Sequence, residues 1–371
     1  MKNKIIIPAL ISIALFSIHP HNMNVKSESN LKNPDTSKFE QVFFLGLQGN
    51  ITNVLSYLDT LHDENLTERQ TEIKQKYYSR FRNNDENYKF ITTDIEVIDL
   101  MKLYHNYWRG ALLDNSLIKQ FDSSLTKSVT GFLKKNYNNI INKSEQDLNE
   151  NFPEYLQEYL LTRRIYAAAG KTGMFFDLLL HAKETEIIYD VTTPEDTIKV
   201  KVVFMEDIIS NGWEDYATLG KYYPGGWATT DALFCVKESY DLGSENFLVS
   251  YLKHEGKHFA DYKQFPKLGG TDLEYRAKLV ELSEAKTSLY ILINFFSRNA
   301  KYDRQNPHGF ANFCILRDLS HLIFNGELVT DTEKWKTIAF DEINKQATYL
   351  LKKNTEDLKQ AGAETVIDYI K

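Results

Sequence analysis

The chain has 371 residues, 42% of them hydrophobic and 26% charged, and 44 basic against 51 acidic side chains leave a net charge of −7. An aromatic share of 13% supplies a hydrophobic core and argues against a disordered chain. The acidic balance, without a long basic run, argues against nucleic acid as a partner, and the two cysteines, Cys235 and Cys314, exclude a disulfide-dense scaffold or a four-cysteine zinc site.

Residues 1–20 read as a secretory signal. Lys2 and Lys4 precede an apolar stretch from Ile5 to Ile18, and about 14 residues fit the core of an export signal better than a membrane span, which needs about 20. No later segment is long and apolar enough to span, so the mature chain is expected to be exported, periplasmic or extracellular, without an integral membrane span. Residues 21–37 are polar, with Pro34 near the end, and read as a flexible leader. From 38 to 183 the apolar residues recur mostly at three- and four-residue spacings, as in Phe43, Leu47, Ile51, Val54, Leu55 and Leu58, so a helical N-terminal region is predicted. Its histidines, His62, His105 and His181, stand apart in sequence and read as surface or packing residues.

The pattern changes near Glu184. Thr185–Thr193 and Thr197–Met205 are rich in β-branched residues and flank a Pro-Glu-Asp turn, which predicts a hairpin. Trp227–Glu238 is a third strand candidate, and helices return from Ser244. A small sheet set before a helical C-terminal half predicts a mostly helical α+β fold. No glycine-rich phosphate loop or dinucleotide fingerprint is present, so no nucleotide partner is expected.

Residues 254–258 read His254-Glu255-Gly256-Lys257-His258, the H-E-x-x-H pattern, which chance would produce on the order of 0.02 times in such a chain. On a helix, residues four apart share a face, so both imidazoles can reach one metal ion with Glu255 beside them as a proton acceptor. Ser244 is a credible N-cap, and Lys253 and Lys257 are expected on the exposed side. Gly256 costs about 1 kcal/mol inside a helix and makes sense if something must approach closely. A catalytic zinc site needs a third protein ligand. After Gly269-Gly270, Glu274 lies 16 residues beyond His258 and Glu281 lies 23 beyond, on nearly one helical face. Glu274 could instead close a capping box with Thr271, and Glu281 or Glu284 could be an ordinary polar side chain packed along the helix near Lys278 or Arg276.

This segment resembles the glutamate zincins, the thermolysin-like metallopeptidases: His254-Glu255-x-x-His258, a glycine turn, then Glu274-x-x-Ala277 at a helix start. The whole is similar to secreted zincin-like proteins of bacteria. The likeness covers about 30 residues directly and extends loosely to the strand-then-helix order before them. The chain departs from thermolysin in a shorter spacing to the glutamate, in lacking an N-E-x-x-S-D segment, and in carrying Lys278 where many families place an acid. The resemblance implies a zincin-like domain over residues 184–371 and one Zn²⁺ held by His254, His258 and Glu274. It also implies Glu255 as general base in peptide hydrolysis and a peptide or protein as substrate. Glu281 would then orient a histidine, and Tyr290, Tyr302, His308 and His321 are candidates for stabilising the oxyanion. The alternative is a non-catalytic zincin-fold binding or scaffold protein of the cell envelope. Cys235 and Cys314, both in apolar stretches, are expected to be buried and unpaired.

Overall fold

The computed structural model of the chain describes residues 34–371, so the expected signal (1–20) and all but the last four residues of the expected leader (21–37) lie outside the described residues. The chain is a mostly helical α+β protein, and the described residues form one small five-stranded sheet, its strands hydrogen-bonded in the order β1-β2-β3-β5-β4. It divides into two compact units: residues up to Glu184 together with Met205–Pro224, and Thr185–Phe204 together with Gly225–Lys371.

In the first unit, helices α1 (Pro34–Leu47), α2 (Ile51–Asp59), α3 (Glu68–Phe81), α4 (Ile95–Leu113), α5 (Ile118–Asn136), α6 (Glu145–Glu150) and α7 (Phe152–Thr162) follow one another. Side-chain caps set the starts of α2, α3, α4 and α6, including a reciprocal Thr67–Gln70 capping box and Asp94 accepting from the N–H groups of Glu96 and Val97. The apolar faces of α2, α4, α5 and α7 close over a core that includes Trp108, Tyr104, Leu112 and Leu160. The helical region ends earlier than the spacing predicts, because Tyr166–Thr172 forms β1 and Phe175–Thr192 forms β2. Ala167-Ala168-Ala169 favours a helix locally, and a short unbroken apolar run such as Phe175–Leu180 has no period to separate the two states. Gly173, at φ +60°, turns β1 back on β2 in an antiparallel pair running from Tyr166↔His181 to Thr172↔Phe175. Strand β3 (Thr197–Asn211) is likewise longer than predicted, and α8 (Trp213–Ala217) follows it.

The second unit takes the far ends of β2 and β3, with the Pro-Glu-Asp turn between them. The single strand predicted over 227–238 is in fact two, β4 (Gly226–Ala228) and β5 (Leu233–Val236), an antiparallel pair folded at Thr229–Ala232. Asp231 and Ala232 donate their N–H groups to Thr229 Oγ1, which makes the turn. The sheet order leaves β4 at the edge, with β5 its one neighbour. Next come a π-helix (Asn246–Lys253), α9 (His254–Gln264), α10 (Gly270–Glu284), α11 (Leu289–Asn299), α12 (Pro307–Ile323), α13 (Thr332–Trp335) and α14 (Phe340–Gly362). Helix α10 runs through the middle, packed on α9, α12 and α14, and every residue from Thr271 to Leu282 is buried. Among the described residues no helix is long and apolar enough to cross a membrane.

Candidate metal centre

The H-E-x-x-H helix is positioned by what packs on its two sides. Ser244 Oγ accepts from the N–H of Phe247 (3.2 Å), as a cap should, but the first turns wind as a π-helix and change to α at His254. Such a change of winding redirects every side chain after it. On one face Gly256 meets the hairpin: a Cβ there would lie 3.0 Å from Val191 Cγ1 and 3.8 Å from Ile198 Cδ1. The close approach that the glycine implied is therefore with β2 and β3. The histidines point the other way, towards α10.

There three predicted ligands converge. The ligand atoms of His254, His258 and Glu274 all lie within 4.8 Å of one another, and among the described residues no other group of three such side chains does so. The two Nε2 atoms are 3.1 Å apart, an opposition of lone pairs that is repulsive unless a proton or a cation lies between them. Glu274 Oε1 is 3.3 Å from His258 Nε2, and Oε2 is 3.8 Å from His254 Nε2. All three side chains are essentially inaccessible. The Thr271 side chain makes no cap, so the capping-box alternative for Glu274 is not realised.

Glu281, two turns along α10, bonds His254 Nδ1 directly, whereas His258 Nδ1 has no hydrogen-bond partner. A carboxylate on the outer nitrogen fixes which ring nitrogen keeps a lone pair for a metal. Glu255 is fully buried, with no other side chain bonded to its carboxylate and the Ala228 peptide beside it. Burial pushes its pKa well above the usual range, and the charges of Glu274 and Glu281 add to this, against the peptide of Ala228 on β4 and the Lys278 ammonium. Burial also works to raise Glu274, but His308 and His258 outweigh it and hold that carboxyl well below its ordinary value. His258 is depressed chiefly by burial.

Of the four downstream candidates, only His308 comes to the site. Its Nδ1 lies 2.9 Å from Glu274 Oε2, and its side chain is 35% exposed, in contrast to the ligands. Tyr290 donates to the carbonyl of Ile338, Tyr302 is largely exposed, and His321 lines a separate groove beside Tyr349 and Lys353. In the first unit His105 is buried against Glu86 and His181 against Glu184, and His62 is exposed.

Three features were not legible beforehand. Tyr262 stacks on His258 with ring centroids 6.3 Å apart. Lys278 is buried with Nζ 3.7 Å from Glu274 Oε2. Lys257, expected on the exposed face, is completely buried in an ion-pair network with Glu195, Asp261 and Arg276, because the hairpin covers that side of α9. No protein-family model, curated protein or solved structure matches the chain.

Proposed function

We propose that the chain is an exported zinc metallopeptidase, with His254, His258 and Glu274 as the metal ligands. The observation that carries this reading is the convergence of two imidazoles and a carboxylate in a buried site. The donor set supports it: two imidazoles and a carboxylate are ligands that zinc takes, with Glu281 on the outer nitrogen of His254. When bound there, zinc supplies Lewis acidity towards a water and a carbonyl oxygen.

The chain's own groups do the rest. Glu255 takes the proton released as the water oxygen adds to the carbonyl carbon, and it returns that proton to the amine as the C–N bond breaks. Its carboxylate is tied to no other side chain. His308, partly exposed beside Glu274, is the donor for the developing oxyanion. Strand β4, with one unpaired edge and the Ala228 peptide facing Glu255, can hold an extended peptide by backbone pairing. The apolar segment at Ile5–Ile18 supports export.

The test is metal analysis together with a peptide-library digest of wild type and Glu255→Gln. Wild type should hold one zinc and cleave. Glu255→Gln should hold the same zinc and cleave about 10²- to 10⁴-fold more slowly, as expected for loss of a general base. A zinc-loaded wild type that cleaves nothing would leave a binding protein, and a fully active Glu255→Gln would overturn the mechanism.

A further inference from the structure

On the side of α9 and α10 away from the histidines lies a second buried cluster, made entirely of paired charges. Asp261, one turn beyond His258, accepts from both Nε and Nη2 of Arg276 (2.8 and 3.1 Å). Arg276 stands two residues after Glu274, so this fork ties the two ligand-bearing helices together beside their ligands. Lys257 Nζ also reaches Asp261 (3.0 Å), and Asn354 on α14 accepts from Arg276 Nη1 (2.8 Å). Lys257, Asp261 and Arg276 are wholly buried. Two cations and one anion do not balance. The fourth charge comes from neither helix: Glu195, in the turn between β2 and β3, places Oε2 2.6 Å from Lys257 and 3.2 Å from Arg276, while Oε1 accepts from Thr355 (2.5 Å). The turn is stiff, because Thr193 Oγ1 accepts from the N–H groups of Glu195 and Asp196 (both 3.3 Å) and donates to Asp196 Oδ1 (2.9 Å).

We propose that Glu195 is a positioning residue for the metal centre, which it holds in register through Lys257, Asp261 and Arg276 without touching it. The inference rests on the metal-site reading above. A helix advances about 1.5 Å per residue, whereas metal–ligand distances tolerate about 0.2 Å, so the α9–α10 register must be held by something stiffer than apolar contact. By neutralising Lys257, Glu195 leaves Asp261 free for its two-pronged grip on Arg276. Without it, two buried cations compete for one carboxylate, and removing one partner of a buried pair is worse than removing both.

The experiment measures zinc affinity by chelator competition, and the cobalt(II) absorption spectrum as a signature of ligand geometry, on Glu195→Gln, Lys257→Met and the double variant. Glu195→Gln should weaken zinc at least tenfold and alter the cobalt spectrum, and adding Lys257→Met should restore most of both. Unchanged affinity and spectrum in Glu195→Gln, even with a lower melting temperature, would make Glu195 merely structural and overturn the proposal. Should that variant not fold, Thr355→Val removes only one hydrogen bond and should still weaken zinc about threefold, and no change there would also overturn it. A wild type that takes up no metal refutes the metal centre itself, and this inference with it. A wild type that binds while the variants bind equally refutes only the role of Glu195.

Discussion

The two units bury acids in opposite ways. In the first, Asp177, Glu214 and Asp215 sit against few cations. Burial is the main cause of each shift, and it pushes Glu214 up to about 8, helped by the charge of Asp177, while Asp177 and Asp215 rise to about 6. Asp177 spends its carboxylate on structure, accepting from the N–H groups of Leu178 and Trp213 (both 2.9 Å) beside Gly212, where a Cβ would collide with it. In the second unit, burial acts as strongly, yet Arg276 and Lys257 hold Asp261 below its usual value, as His308 and His258 do for Glu274. Glu255 and Asp272 are left raised there, both chiefly by burial. The difference teaches what pairing does: an acid buried with few cations near it is pushed towards its neutral form, whereas one gripped by cations or imidazoles keeps its charge.

The largest effect that would break this contrast is at the ligand. Glu274→Ala should abolish stoichiometric zinc, while Glu281→Ala should keep it with affinity lowered about 10- to 100-fold, since Glu281 orients His254 and does not face the cation. Equilibrium dialysis against zinc decides it, and metal lost only with Glu281 would reverse the two roles.

A smaller effect tests the other side. Asp177 and Glu214 bind a proton more tightly folded than unfolded, so the unfolded chain holds fewer protons as pH rises and unfolding becomes easier. Their stabilisation is complete below about pH 4 and is lost as pH rises through about 6 for Asp177 and about 8 for Glu214, at up to about 1.4 kcal/mol per pH unit for each proton retained. Urea melts should show wild type weakening between pH 6 and 8, and Glu214→Gln nearly flat over the same range. Equal slopes would mean that Glu214 is not the group responsible.

The smallest effect concerns neutral groups. Cys235 and Cys314 are both buried free thiols, raised by burial, Cys314 to about 11. Reductant should change neither the mass nor the melting temperature. A shift of two hydrogens would reveal a pairing that the structure does not contain.

Much of the site was legible because its chemistry is local. The spacing of His254 and His258 places two imidazoles on one face of any helix, and the Gly269-Gly270 break puts Glu274 near the start of the next one. Choosing Glu274 over Glu281 was beyond spacing alone, since residues seven apart share a face, and it took the α9–α10 packing to bring one to both Nε2 atoms and the other to Nδ1. Strand β1 was misread for the converse reason: three alanines favour a helix, and only pairing with β2 made them a strand.

The sequence by itself determined the mostly helical α+β class, the hairpin around Pro194, and the pair of histidines with Glu255 between them, since all follow from periodicity, turn chemistry and spacing within a few residues. The tertiary structure decided what the charged residues of α10 are for. Spacing gives no partner for Arg276, Lys278 or Glu281, and only burial on all sides by α9, α12 and α14 makes them charges that must be paired. The same holds for Glu195, whose partners Lys257 and Thr355 lie 62 and 160 residues away along the chain. Burial makes an unpaired charge too costly to keep, and which partner answers it depends on distances in space that no local pattern records.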